Sequence, residues 1–240
     1  GFHQSAPMGQ SLKGVRQKAV VSLCFELATD KMQGELDYAL KSFETDYIDL
    51  YRLYTVDDNR FAIMERNKKE GKIRAIGVSN FSREQLAECL AAGQIDSDQP
   101  RYSALDRRIE EEILPFCRDN TIGILAYSPL EQGLLTGTVD ADREFNEGDQ
   151  RRTKPLFSRE NRVKVLRMLE TVRPIAEKYE ATLGQLFLAW LIAQEGMTTA
   201  LAGTRNEAQL LENAAAGDLV LANGDIAAIR ELVTSVQLER

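Results

Sequence analysis

The chain has 240 residues, is 43% hydrophobic and 28% charged, and carries a net charge of −7. That length supports one large domain with a substantial core, spanning residues 1–240, and the interspersed, net acidic charge argues against nucleic acid as a partner. No apolar run reaches bilayer length, the scattered Cys24, Cys89 and Cys117 read as reduced thiols of a cytoplasmic protein, and the single His3 nearly excludes an imidazole metal site.

In chain order, the first β-rich run is AVVSLCF (19–25), followed by an amphipathic helix over 30–44 with Met32, Leu36, Ala39, Leu40 and Phe43 on one face. DYIDLYRLYTVDD (46–58) begins as an apolar strand and ends in Tyr54, Asp57 and Asp58, an acidic cluster that reads as the start of the next loop. IRAIGVS (73–79) is the next strand. The helix over 82–93 is bracketed by Ser82 as N-cap and Gly93 as terminator. A more polar strand candidate lies in 95–105, a helix in 107–120, and a strand in IGILAYS (122–128).

Residues 139–161 are polar, charged and without apolar period, which marks a lid or binding loop. The helix over 163–180 is expected to kink or break at Pro174. A further helix starts at Thr182 and carries Trp190, a core residue, and a short strand occupies 198–204. Most strands recur at the spacing of a βα repeat, and near-continuous apolar strands belong to parallel sheets. The class is therefore α/β, and the lack of a Gly-rich phosphate fingerprint favours a (β/α)8 TIM barrel over a doubly wound sheet. Six strand candidates are present where a closed barrel needs eight.

Several chemistries are missing their motifs. There is no P-loop, no nucleophile elbow, no Tyr followed four residues later by Lys, and no lysine at the C-terminal end of a strand, as Lys18 and Lys72 stand at strand starts. Polar residues gather instead at strand ends. These are Ser79 and Asn80, then Gln99 and Tyr102, then Tyr127 and Ser128, then Gly203, Thr204 and Arg205 ahead of a helix with Gln209, Glu212 and Asn213. Ser, Asn and Gln offer the donors and acceptors a carboxamide needs, and a tyrosine offers a stacking face. An arginine beside a helix N-terminus suits a phosphate. Taken singly, each residue has a surface or capping role as its alternative.

At these residues the sequence resembles the aldo-keto reductases. TDYIDLY, GKIRAIGVSNFS, ILAYSPLEQGLLTG, the run from EFNEGDQRRT to IAEKYEATLGQLFLAWLIAQ, and AGTRNEAQLLEN match the family in consecutive order. The resemblance implies a TIM barrel that binds NADP(H) in extended form and transfers hydride to a small-molecule aldehyde or ketone. It implies that Ser79, Asn80 and Gln99 hold the carboxamide, that Tyr127 stacks on the nicotinamide, and that Ser128, Leu130, Gln132 and Gly133 line the pyrophosphate. Thr204 and Arg205 would meet the 2′-phosphate, with Gly203 also among the cofactor-binding residues, and Gln209, Glu212 and Asn213 would flank the adenosine.

The family's catalytic set is Asp, Tyr, Lys and His. The opening GFHQSAPMGQSLKG is similar to the segment just after the catalytic tyrosine, so the Asp, that Tyr and the first two strands are expected to lie outside this sequence. Cys24 stands at the lysine position and Tyr54 at the histidine position, and the connections at 26–30 and 59–64 are shorter than the family's. Tyr54 is a candidate substitute proton donor, although a tyrosine without a nearby lysine keeps a pKa near ~10. Cys24 cannot replace the cation. Three readings stay open: a carbonyl reductase, a catalytically degenerate NADP(H)-binding sensor or scaffold, and a non-redox enzyme using the same cavity. Neither a membrane nor nucleic acid is an expected partner, and a homo-oligomer is left open.

Overall fold

A computed structural model describes residues 8–25, 28–55 and 58–239. His3, Asp57, the first seven residues of the opening segment and residues 26–27 of the first shortened connection lie outside the described residues. The Cα framework forms two compact units, Gly1–Pro100 with Glu112–Ile124, and Arg101–Glu111 with Leu125–Arg240.

In the first unit, strands alternate with helices: β1 (Ser22–Phe25), α1 (Met32–Ser42), β2 (Ile48–Leu53), α2 (Asp58–Lys69), β3 (Ile73–Val78), α3 (Arg83–Ala92), β4 (Ser97–Asp98), α4 (Ile113–Asp119) and the first two residues of β5 (Gly123–Tyr127). The strands pair in sequence order and all in parallel, with Cys24 opposite Arg52, Arg52 opposite Gly77, Gly77 opposite Ser97 and Ser97 opposite Gly123. β2 is buried along nearly its whole length, as a strand covered on both faces should be. The polar candidate over 95–105 yields a strand of only two residues. Of the acidic end of the 46–58 stretch, Asp58 is the first residue of α2, which also contains residues 59–64.

α3 begins as expected. Ser82 Oγ accepts from the Gln85 amide at 3.3 Å and Gln85 Oε1 accepts from the Ser82 amide at 2.8 Å. Such a reciprocal cap contributes about 1 kcal/mol and fixes where the chain leaves β3.

The second unit contains the rest of β5, followed by α5 (Arg159–Lys178), α6 (Leu183–Ile192), β6 (Thr199–Leu201), α7 (Glu207–Ala215) and α8 (Asn223–Thr234). β5 pairs with β6 in parallel, Tyr127 opposite Leu201. α5 runs through Pro174 without ending there. Val165, Leu169, Val172 and Ala176 bury one face of it, which outweighs the ~3 kcal/mol that an interior proline costs. α6 is buried almost all round, capped by Thr182 and Gln185, and Trp190 is fully enclosed with its indole N–H donating to the Ile226 carbonyl at 3.1 Å.

The polar segment 139–161 is built around arginines. Arg162 donates to the carbonyls of Asp140 and Arg143 at 2.9 and 2.8 Å, Arg151 and Arg162 stack on the Phe145 ring, and Phe145 meets Phe157 edge-on at 5.7 Å. Among the described residues, no helix is long and apolar enough to cross a membrane.

Candidate functional site

Within the first unit, the ends of β3 and β4 carry a polar cluster in which Ser79, Gln99 and Arg52 are buried and Asn80 is exposed. Asn80 turns the chain with a left-handed φ of 59°, a conformation that Asn tolerates better than most residues. Its amide donates to the Gln99 carbonyl at 3.2 Å, and Ser79 Oγ donates to the same carbonyl at 2.9 Å. Asn80 Nδ2 lies 3.4 Å from Ser79 Oγ. Arg52 reaches in from β2, donating through Nε to Ser22 Oγ at 3.0 Å and through one Nη to Gln99 Oε1. Ser79, Asn80 and Gln99 are thus brought together, with Arg52 as a fourth member.

Beneath this turn lies Asp98, which is fully buried. Burial pushes its carboxyl up to about 7, and the amides of Phe81, Gln99 and Asn80 and the Arg52 charge pull it only part of the way back. These amides approach the carboxylate without completing a hydrogen bond.

Within the second unit, a cavity of about 810 Å³ is lined by Ser128, Leu130, Gln132, Gly133, Gly203, Thr204, Arg205, Gln209, Glu212 and Asn213. Ten of the sequence-derived residues therefore share one wall, and the volume is within the usual range for small-molecule sites. Its floor is an unusual turn. Ser128, Glu131 and Gln132 have φ of 57°, 47° and 53°, and Gly133 follows at 93°. Left-handed non-glycine residues cost of order 1 kcal/mol each. Glu131 offsets that cost: it is fully buried, accepts from Ser103 Oγ at 2.5 Å and pairs with Arg101. The 139–161 segment reaches the same turn, Lys154 Nζ donating to Gln132 Oε1 at 3.0 Å and Arg151 Nη1 to the Gln132 carbonyl at 3.4 Å.

The donors facing this cavity match a phosphate-bearing ligand: Ser128 and Thr204 hydroxyls, the Arg205 guanidinium and the open backbone at Gly133 and Gly203. Nothing lies within 4 Å of where a Cβ on Gly203 would stand, so a ligand can approach that backbone closely. The carboxylates at the rim are engaged. The Arg151 guanidinium holds Asp149 down to about 2, and Glu212 accepts from Thr182 Oγ1 at 2.8 Å. Arg205 makes no ion pair among the described residues, and its amide donates to Gln209 Oε1 at 2.9 Å.

A family model described as aldo/keto reductase family matches residues 11–234. The chain belongs to the aldo/keto reductase family. Its fold is accordingly that of the (β/α)8 barrel, of which six parallel strands are described here. An NADH-specific methylglyoxal reductase of Escherichia coli is 38% identical over 219 residues, 88% of this chain and 67% of that protein. Aldo-keto reductase yakc [NADP(+)] of Schizosaccharomyces pombe is 32% identical over 217 residues, 87% of this chain and 64% of that one. The solved structure of the glycerol dehydrogenase AKR11B4 from Gluconobacter oxydans superposes with a TM-score of 0.91 at 25% identity, covering 98% of this chain and 78% of that one.

The resemblance sets Cys24 and Tyr54 at catalytic positions. Cys24 lies on β1 with its Sγ only 4.0 Å from its neighbour's carbonyl, a weak contact, and Tyr54, just past β2, is 45% exposed. Tyr127, at the end of β5, is half-buried, and its carbonyl accepts from the Tyr102 amide at 3.3 Å. Tyr102 is no site residue: it is fully buried and its hydroxyl donates to Glu110 Oε1 at 2.7 Å. Burial and that carboxylate push its pKa upward. The sequence reading passed over Arg52 and Glu131. The signal for Arg52 was one of two charges, with Asp49, inside an otherwise apolar strand, and that for Glu131 a carboxylate set between a proline and a glycine.

Proposed function

We propose that this chain binds NADP(H) and serves the family reaction, reduction of an aldehyde or ketone to an alcohol. The observation that carries the reading is the second unit's cavity, where a preformed turn, two hydroxyls and an unpaired Arg205 face one space. When bound, the nicotinamide group supplies the hydride. Thr204 and Arg205 would take the 2′-phosphate, the turn from Ser128 to Gly133 the pyrophosphate, and Gln209, Glu212 and Asn213 the adenosine. By the family resemblance, Ser79, Asn80 and Gln99 would hold the carboxamide, and Tyr127 would stack on the ring. A guanidinium placed to meet the 2′-phosphate would make Arg205 the residue that favours NADPH over NADH. A small carbonyl compound is the substrate class, and the chain acts in the cytoplasm as a single functional domain.

A second reading has its own observation. Cys24 and Tyr54 occupy the positions of the lysine and the histidine, which favours a nucleotide-binding sensor without turnover. Fluorescence titration with NADPH and NADH tests binding, and a panel of aldehydes and ketones followed by NADPH absorbance tests turnover. Saturable NADPH binding with consumption on at least one carbonyl supports the reductase. Binding without consumption supports the sensor, and no binding of either nucleotide sinks both. If turnover occurs and Tyr54→Phe leaves kcat unchanged, Tyr54 is not the proton donor.

A further inference from the structure

We propose that Arg52 is a positioning residue for the carboxamide subsite, setting the orientation of the Gln99 amide. The inference rests on the reading that Gln99 faces the nicotinamide carboxamide.

A glutamine amide has a donor end and an acceptor end, and nothing in its shape decides which end points where. A guanidinium decides it, because it only donates. Arg52 therefore holds Oε1 of Gln99 on the β2 side and leaves the Nε2 hydrogens for another partner. Further contacts hold Arg52 in this placement. Its Nε is anchored on Ser22 Oγ. Its stem runs across Gly77, where an added Cβ would stand 2.6 Å from Arg52 Cγ and 2.7 Å from Ser97 Oγ. Arg52 and Gln99 are both more than nine-tenths buried, so water does not compete for the contact.

A merely structural arginine at such depth would be matched by a carboxylate. Among the described residues Arg52 has no ion-pair partner, and its two described hydrogen bonds go to neutral groups. A buried cation whose counter-charge, the Asp98 carboxyl, acts on it only from beyond ion-pair distance is costly to keep. Its benefit here is orientation: a charged donor holds the amide more firmly than a neutral one. The strand register adds that Arg52 stands opposite Cys24, so the site retains a positive charge one strand away from the lysine position.

The test compares two ligands that differ only by the nicotinamide. Kd values for NADPH and for 2′-phospho-ADP-ribose are measured on the full chain and on Arg52→Met, Arg52→Lys and Gln99→Ala, with far-UV circular dichroism to establish folding. Arg52→Met is expected to weaken NADPH by about tenfold, the loss of one well-placed hydrogen bond, and to leave 2′-phospho-ADP-ribose within about twofold. Gln99→Ala should show the same split, and the double variant no further loss, because the two residues act as one unit. Arg52→Lys keeps the charge but not the fork, and an intermediate loss confined to NADPH is expected; this variant decides the matter if Arg52→Met does not fold. Equal weakening of both ligands by either Arg52 variant, or a Gln99→Ala loss that Arg52→Met and Arg52→Lys do not share, overturns the positioning role. No selective loss in Gln99→Ala overturns it in a different way, by removing the carboxamide reading on which it rests.

Discussion

Cys24 and Arg52 are register partners across the parallel pair of β1 and β2. Cys24 carries a thiol, while its neighbour on the next strand carries a buried guanidinium. That guanidinium contacts Gln99.

The row Arg52–Gly77–Ser97 depends on the missing side chain at its centre. Gly77→Ala would force Arg52 Cγ and Ser97 Oγ apart from a Cβ less than 3 Å away, with Leu50 Cδ1 at 3.1 Å closing the other side. Overpacking of this kind costs about 1–3 kcal/mol. Urea denaturation should show that loss, and NADPH binding should weaken with it because Arg52 is displaced from Gln99. An unchanged midpoint with unchanged affinity would mean that the row repacks freely.

Glu131 predicts a stability effect in the second unit. Removing its carboxylate leaves Arg101 with only Asp106 at 3.7 Å and takes away the acceptor of Ser103 Oγ. Arg101 is about one-third exposed and regains some hydration, so Glu131→Ala is expected to cost about 2–4 kcal/mol rather than the full price of a buried orphan charge. Glu131→Gln, which keeps the Ser103 contact, should lose less. Equal midpoints for Glu131→Ala and the parent in urea would rule the anchor out.

Asp98 predicts a pH dependence of stability. Its folded pKa of about 7 stands above the unfolded value of 3.8, so the folded state binds the proton more tightly. Its contribution is fully present below pH ~4, declines as pH rises through about 7, and is flat above that. Asp98→Asn removes this dependence and is expected to stabilise the protein at pH 8 by roughly a few kcal/mol, with little effect at pH 4. Chemical denaturation at the two pH values measures it; a variant that destabilises equally at both contradicts a buried, neutral-preferring Asp98.

Arg205 predicts cofactor choice. Arg205→Ala should raise the Kd of NADPH by about tenfold and leave that of NADH within about twofold, since a charge-assisted contact to the 2′-phosphate is lost. The NADPH loss should shrink as salt is raised. If both nucleotides weaken together, Arg205 supports the turn rather than the phosphate.

The strands were legible because sheets buried on both faces leave near-continuous apolar runs such as IDLYRL, and the caps were legible because Ser82 and Thr182 each precede a glutamine by three residues. α2 was not legible. Its buried face uses Asn67 beside Phe61 and Met64, and that asparagine is satisfied by the Ile63 carbonyl and by Gln33, a partner 34 residues away in sequence. α5 runs on past Pro174 because local propensity yields to the packing of one helical face. In the second unit the residues lining the cavity could be read from strand ends, but the left-handed run at Glu131 and Gln132 could not, because neither residue prefers that conformation.

That run has a consequence for the cost of binding. A turn already held in shape by Glu131 and tethered through Gln132 to Arg151 and Lys154 does not have to be ordered when a ligand arrives. The entropy of ordering is spent during folding, so ligand entry is opposed mainly by the water that must leave Arg205 and the surrounding hydroxyls.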